Sequence, residues 1–180
     1  MTARPLTPSQ TVGPFFHDCL LRDGARRGAI TADTGGPAIR IGGRVIDGDG
    51  VGVPDAVLEV WHHDWFARLG TDEGGRFSFE TVRPAALPFD RTTMQAPHLS
   101  VAVFARGLMN HLYTRIYFED DAATAADPIF FRHVPEARRA TLVAVAAVDG
   151  GHGLTRSYRF DIVLQGDGET VFFDFGASRQ

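Results

Sequence analysis

The chain of 180 residues contains a single cysteine, Cys19, and therefore cannot form an internal disulfide bond. This favours a reducing compartment, so we expect a packed thiol in a cytoplasmic protein. The longest apolar run covers only residues 142–148, whereas a membrane-spanning helix needs about 20 residues. The first residues also lack the apolar stretch of a secretory signal. The sequence therefore predicts a chain that does not cross a membrane.

Basic residues are outnumbered by acidic ones. Eighteen Lys and Arg residues stand against 22 Asp and Glu residues, which gives a formal net charge of −4. The Lys and Arg residues do not cluster into the basic face that binding to the phosphate backbone of a nucleic acid requires. Nucleic acid is therefore not an expected partner.

Twenty glycines and ten prolines lie mainly between short runs of β-forming residues. This spacing is typical of a β-sandwich or barrel, and we predict a mostly β fold of two sheets. Helical periodicity is scarce, so we expect at most one or two short helices, one of them within 119–127 and ended by Pro128. The predicted strands cover residues 38–46, 56–62, 76–82, 99–106, 112–118, 141–148, 156–165 and 170–175.

The first 36 residues lack a clear strand pattern. They contain the pair Gly13-Pro14, and Gly35-Gly36-Pro37 marks their end. We expect residues 1–36 to form an extended N-terminal arm that lies over the remainder rather than a strand. Residues 37–180 are predicted to form the sandwich. A length of 180 residues suits one domain that contains both parts.

The Asp-Gly-Asp-Gly sequence at 47–50 resembles the start of a calcium-binding loop. The twelfth position of such a loop requires a bidentate glutamate, but Leu58 stands there. We therefore interpret 47–50 as a hairpin turn, and the Asp- and Gly-rich segments 72–75, 149–151 and 166–168 as further turns.

Seven histidines raise the question of a metal site, because imidazole is the commonest metal ligand. A ferric ion would also need phenolate or other oxygen ligands, but all three tyrosines lie inside predicted strands. Satisfied or solvent-facing histidines are therefore the favoured interpretation. An independent metalloenzyme stays open as the weakest hypothesis, with ligands from His62, His63, His98 or His111.

Arg106 ends a run, 99–106, whose apolar residues on both faces predict a central strand. It shares sequence parity with His98 and Ser100, which predicts that all three side chains lie on one side of the sheet. A guanidinium there could hold a carboxylate through two parallel hydrogen bonds. An ion pair with one of the many acidic residues is the equally supported alternative.

Eight stretches in the same order resemble the intradiol ring-cleavage dioxygenases. The first, TPSQTVGPF at 7–15, is similar to the N-terminal arm of that family, and the match covers most of the chain. The resemblance implies a two-sheet β-sandwich of the intradiol dioxygenase type. The other stretches are LEVW at 58–61, GRFSF at 75–79, APHLS at 96–100, FARG at 104–107, TRIYF at 114–118, YRFDI at 158–162 and GETVFFDF at 168–175.

The iron-binding chains of that family hold Fe(III) with two tyrosines and two histidines. By this resemblance His98 occupies the first histidine position, whereas Ser100 stands at the second and Leu87 replaces one tyrosine. The segment after Trp61, where the other tyrosine would lie, is short and contains none. The resemblance thus implies that this chain binds no metal and that a partner β subunit holds the Fe(III).

The resemblance also implies a role for this chain as the α subunit of a two-chain enzyme that cleaves protocatechuate with O2 to 3-carboxy-cis,cis-muconate. Thr11, Gly13, Pro14 and Arg106 would line the substrate pocket, and no catalytic residue is assigned to this chain. Phe15 stands where tyrosine is common in the family. We expect a higher-order α–β oligomer and an inactive isolated chain. The alternative is a non-enzymatic β-sandwich that acts as a binding or carrier module.

Overall fold

Short β-strands joined by tight turns dominate the computed structural model, which describes residues 8–21, 26–27, 36–63, 65–147 and 156–174. Two short α-helices, α1 and α2, cover Pro14–Leu21 and Pro128–His133, and two 3-10 helices cover Ala122–Ala126 and Glu136–Leu142. The strands β1 to β12 are Arg26–Arg27, Ala38–Ile46, Val57–His62, Trp65–Gly70, Arg76–Val82, Leu87–Pro88, Met94–Gln95, Leu99–Phe104, Leu112–Phe118, Val143–Ala146, Arg156–Arg159 and Ile162–Val163.

Ten of the strands form two groups that join at one edge, whereas β6 and β7 pair antiparallel in a separate two-stranded sheet. The first group pairs antiparallel in the order β1-β4-β3-β8-β9. In the second group, β2 pairs antiparallel with β5 and parallel with β11 and β12, and β10 pairs with β11. The parallel pair β9–β10 connects the two groups. Strand β8 lies between β3 and β9, which agrees with the central position predicted for it.

The main core contains the inward-facing side chains of both groups. Leu58, Val101 and Ile116 from the first group belong to the same buried cluster as Ile41 and Phe79 from the second. Each is at most 1% exposed, and burial of a side chain of this size contributes about 1.5–3 kcal/mol to folding. The predicted fold class, a mostly β two-layer sandwich, is confirmed.

The strand that was predicted over 156–165 is divided into β11 and β12. Between them, the Phe160 N–H donates to the Gly42 carbonyl at 2.9 Å, and Asp161 accepts a hydrogen bond from the Arg44 N–H at 3.0 Å. A Cβ on Gly43 would lie 1.8 Å from the Phe160 carbonyl oxygen. Glycine is thus required at position 43, where the segment between β11 and β12 runs very close beside β2.

The N-terminal segment contains more regular structure than we expected. Residues Pro14–Leu21 form helix α1, and Arg26–Arg27 form the short strand β1, which pairs with β4. The expectation that this segment contains no strand was therefore wrong for β1. Cys19 is exposed rather than packed, because Phe16 and Leu20, four residues apart, share the less exposed side of α1. The division at residue 36 stays a prediction.

Three further predictions were wrong in detail. Strand β4 was not predicted. Pro128 begins helix α2 and lies after the 3-10 helix Ala122–Ala126, because proline fits the first turn of a helix, where its missing N–H costs nothing. The run 170–175 contributes only an isolated bridge between Phe173 and Tyr113 in its described part. The turn predicted at 149–151 lies outside the described residues.

In the described segments, no helix combines the length and the apolar character needed to cross a membrane.

Candidate functional site

The first candidate region is the turn that follows β8. The strand ends at Phe104, two residues before Arg106, and Gly107 adopts a positive φ of 88° that favours glycine. The Leu108 N–H donates to the Ala105 carbonyl at 3.3 Å and closes the turn. Arg106 is exposed whereas His98 is buried, so the two side chains differ in environment. The expectation that Arg106, His98 and Ser100 lie on one side of the sheet stays a prediction.

The N-terminal arm contacts this same turn. The Gly107 N–H donates a hydrogen bond to the Thr11 hydroxyl oxygen at 2.7 Å. The rings of Phe16 and Phe104 also lie 5.4 Å apart, a usual distance for an aromatic pair. These contacts bring Thr11 and the Arg106 turn together, although 95 residues separate them in the sequence.

The arm leaves open space beside Thr11. Gly13 is exposed, and within the described residues nothing lies within 4 Å of the position that a Cβ on it would take. Its carbonyl accepts the Phe16 N–H at 3.0 Å, which closes the first turn of α1. Pro14 is the first residue of α1 and Phe15 is the second. Thr11, Gly13 and Pro14 thus lie within four residues at the start of α1 and just before it, and the Thr11–Gly107 hydrogen bond brings the Arg106 turn next to Thr11.

Arg106 forms an ion pair that the sequence did not specify. Its Nε donates to Asp55 Oδ1 at 3.1 Å, and Asp55 Oδ2 lies 3.0 Å from the same nitrogen. The pairing of β3 with β8 explains this contact. Val57 pairs with Phe104 in this antiparallel pair. Asp55, two residues before Val57, therefore lies opposite Arg106, two residues after Phe104. The ion-pair alternative is therefore realised, but it uses only the Nε side of the guanidinium.

The second candidate region surrounds His98, where the family resemblance places former iron ligands. His98 is 4% exposed, and its Nδ1 donates to the Ala96 carbonyl at 2.7 Å. Leu87, in β6, offers no ligand atom, and Ser100 offers only a neutral hydroxyl. The β8–β9 pairing places Arg115 directly opposite Ser100.

Arg115 and its neighbours disfavour a cation at this position. Burial, followed by the positive charge of Arg115, lowers the pKa of His98 to about 4. The Tyr117 phenol donates to Asp127 at 3.1 Å and accepts from Arg115 at 3.2 Å. Burial raises the pKa of Tyr117 well above its usual range, so the phenol does not become a phenolate ligand.

The donor set around His98 therefore does not fit a ferric ion. A single imidazole nitrogen remains, next to a guanidinium and a protonated phenol, whereas ferric iron prefers several anionic oxygen ligands. Across the described segments, no group of three or more His, Cys, Asp and Glu side chains is arranged to hold a metal ion.

In the described part of the chain, His62 and His111 also have other partners. His62 Nε2 lies 2.8 Å from the Thr81 hydroxyl, and its ring stacks on Trp65 at 5.2 Å. Burial, with a smaller effect of His63, lowers the pKa of His62 to about 4. His111 is exposed, and the centroid of its ring lies 4.6 Å from that of Tyr113 in an edge-to-face arrangement. The hypothesis of an independent metalloenzyme finds no support in these contacts.

These two buried histidines predict a pH-dependent stability. Their pKa is near 6.5 in the unfolded chain and about 4 in the folded chain, so the unfolded state binds more protons between these values. The free energy of unfolding is therefore largest above about pH 6.5 and falls as the pH drops towards 4, by about 2 kcal/mol per histidine at pH 5. Urea unfolding at about pH 7.5 and about pH 5 measures this difference.

His98→Gln should reduce this pH-dependent loss by about half, because one of the two buried imidazoles is removed. The exposed His133→Gln variant is the control and should keep the pH dependence of the unmodified chain. An unchanged dependence in His98→Gln would show that His98 is not buried in its neutral form.

A family model described as dioxygenase matches residues 65–166 of this chain. The chain is 40% identical to the protocatechuate 3,4-dioxygenase alpha chain of Burkholderia cepacia, over 97% of this chain and 100% of that relative. The chain belongs to the intradiol dioxygenase family. The family predicted from the arm and strand motifs is thus confirmed.

Other members of this intradiol dioxygenase family give weaker matches. The protocatechuate 3,4-dioxygenase beta chain of Burkholderia cepacia is 31% identical over 90% of this chain and 77% of its own length. The dioxygenase domain of a carbohydrate-binding fusion protein from Streptomyces sp. SirexAA-E superposes with a TM-score of 0.59 at 21% identity, over 75% of this chain and 84% of that one. This superposition shows the fold alone. The family is iron-dependent, and its relatives include separate alpha and beta chains.

Proposed function

We propose that this chain is the iron-free α subunit of an α–β protocatechuate 3,4-dioxygenase. The complex would cleave protocatechuate with O2 to 3-carboxy-cis,cis-muconate. One observation carries the proposal, namely the convergence of Thr11 and the Arg106 turn through the 2.7 Å hydrogen bond between Thr11 and Gly107. We call the proposed substrate site at Thr11, Gly13 and Arg106 the substrate recess; it lies on a chain whose own His98 region does not fit iron.

The chain's contribution is binding and orientation. Arg106 presents a guanidinium whose planar edge matches the carboxylate of protocatechuate. Thr11 offers a hydroxyl next to it, and Gly13 leaves space for a flat ring. Held in this way, the catechol edge of the substrate points away from Arg106 and towards the partner. Fixed orientation of a bound substrate removes much of the entropic barrier to its reaction.

Iron is assigned to the partner β subunit. The Fe(III) there would supply the activation of ring and oxygen that no group near His98 can supply. The donors support this assignment, because Leu87 and Ser100 offer no anionic ligand atom and the phenol of Tyr117, whose ring lies 5.5 Å from that of His98, is protonated. The α–β association thereby places the substrate-orienting groups and the metal on different chains.

Coexpression with a β chain of the family, ideally the one encoded beside this chain, tests the proposal. The co-purified complex should cleave protocatechuate, whereas the chain expressed alone should not. Activity of the chain alone would contradict the proposal. Failure to recover any complex with such a β chain would favour a non-enzymatic binding or carrier module instead.

A further inference from the structure

We propose that Asp55 is a positioning residue that directs the guanidinium of Arg106 towards the substrate carboxylate. This inference rests on the proposed function, because it concerns the same substrate recess. It assigns a role to a residue that neither the sequence motifs nor the family comparison singles out.

The geometry of the ion pair supports this role. Both carboxylate oxygens of Asp55 approach Nε of Arg106, at 3.1 and 3.0 Å. Within the described residues, the two terminal nitrogens of Arg106 have no hydrogen-bond acceptor. A guanidinium offers five N–H donors in a rigid fork, so a partner at Nε leaves the outer edge with both terminal nitrogens available. That outer edge is the one that can bind a carboxylate through two parallel hydrogen bonds.

The two side chains differ in exposure, which agrees with an Arg106 guanidinium that points away from Asp55 towards solvent. The Asp55 side chain is 25% exposed, whereas that of Arg106 is 53% exposed. The inner end of the pair is therefore shielded, and the outer end of Arg106 reaches solvent. Charges shielded from water interact more strongly than exposed ones, so Asp55 restrains the arginine more than a surface partner would.

The backbone fixes Asp55 independently of Arg106. Asp55 adopts a positive φ of 53° two residues before β3, a conformation that aspartate and asparagine tolerate better than most residues. The next residue, Ala56, is buried, and its N–H donates to the Thr71 hydroxyl at 3.0 Å. The carboxylate thus stands on a rigid strand start, while Arg106 lies in a turn.

An unrestrained arginine has many rotamers, and a ligand that orders it must offset the lost side-chain entropy. Asp55 orders Arg106 before the substrate arrives, and the Thr11–Gly107 hydrogen bond orders the neighbouring backbone. The restraint therefore lowers the cost of binding a carboxylate. It does not affect a catechol that lacks this group.

The test uses the α–β complex and compares protocatechuate with catechol. Asp55→Ala should raise KM for protocatechuate by roughly 3- to 10-fold, with little change in kcat or in catechol turnover. Asp55→Asn keeps an oxygen acceptor and tolerates the backbone conformation, so it should restore most of the loss. Asp49→Asn, in a nearby exposed turn, removes the same charge and should behave as the unmodified complex.

A second comparison separates positioning from a general structural effect. In an Arg106→Ala background, Asp55→Ala should cause no further loss of preference for protocatechuate, because the residue through which it acts is absent. Equal losses on both substrates, or the same loss in both backgrounds, would overturn the role of Asp55. A preference that falls with Arg106→Ala but not with Asp55→Ala would refute this inference alone. A preference unchanged by Arg106→Ala would instead refute the proposed recess itself, and the role of Asp55 with it.

Discussion

Arg106→Ala is expected to lower kcat/KM for protocatechuate by roughly 10- to 100-fold in the α–β complex, which is the usual worth of a hydrogen-bonded charge pair. Catechol should lose no more than about 3-fold, because it has no carboxylate to bind. Steady-state kinetics on both substrates measure the two losses. The half-exposed guanidinium beside Thr11 and Gly107 is the physical reason for the difference.

Two variants serve as controls for Arg106. Arg106→Lys keeps the charge but loses the planar fork, and we expect an intermediate loss. Arg132→Ala removes an exposed arginine in α2 and should leave both substrates unaffected. Equal losses on protocatechuate and catechol in Arg106→Ala would remove Arg106 from the carboxylate-binding role.

Asp127→Ala is expected to destabilise the fold by about 3–5 kcal/mol, because it leaves several buried donors without an acceptor. Asp127 is 0% exposed and accepts the Ala96 N–H at 2.7 Å and the Tyr117 phenol at 3.1 Å. It also caps α2, with the N–H groups of Ile129 and Phe130 both at 2.9 Å. Urea unfolding of the purified chain measures this loss.

Asp121→Ala is the matched comparison, because Asp121 caps the preceding 3-10 helix by accepting the Ala123 N–H at 3.0 Å. Asp121 also forms an ion pair with Arg83 at 3.2 Å, so its expected loss is about 1–2 kcal/mol, for one capping contact and one ion pair. Equal losses in the two variants would show that the buried network around Asp127 does not stabilise the region of His98.

This network also links the His98 region through protein groups. Arg115 donates a hydrogen bond to the Tyr117 phenol, which in turn donates to Asp127. Tyr117 connects the two, and its ring lies 5.5 Å from that of His98. Strands β8 and β9 are thus linked by hydrogen bonds and ring contacts in the region of His98.

The strands that sequence patterns predict best are those bounded by obligatory turns. Strands β2, β5 and β9 have the predicted bounds, and Gly50 and Gly75 adopt the positive φ expected of the turns at 47–50 and 72–75. Alternation of apolar and polar residues fixes which face of such a strand is buried.

Strand β4 was missed even though Trp65, Ala67 and Leu69 alternate as buried residues. His63, which follows β3, adopts a positive φ of 46°. Positive φ at a histidine is uncommon, so the sequence does not indicate that a tight connection begins there. Without that turn, the pattern after Trp61 resembled only a shortened loop.

The candidate recess could be predicted only in part. The family resemblance supplied the motif that contains Thr11 and Gly13 and the motif that contains Arg106. No local sequence pattern reveals that these two motifs meet in the fold. The contact between Asp55 and Arg106 depends on the β3–β8 register, which aligns Val57 with Phe104. Registers between strands that lie far apart in sequence follow from packing of the whole core and not from local propensity.

Iron analysis combined with visible absorption spectroscopy tests the central claim most directly, on both the isolated chain and the α–β complex. The account predicts a colourless isolated chain without bound iron, and a complex that contains iron and shows a tyrosinate-to-iron charge-transfer band. Stoichiometric iron and that band in the isolated chain would contradict it.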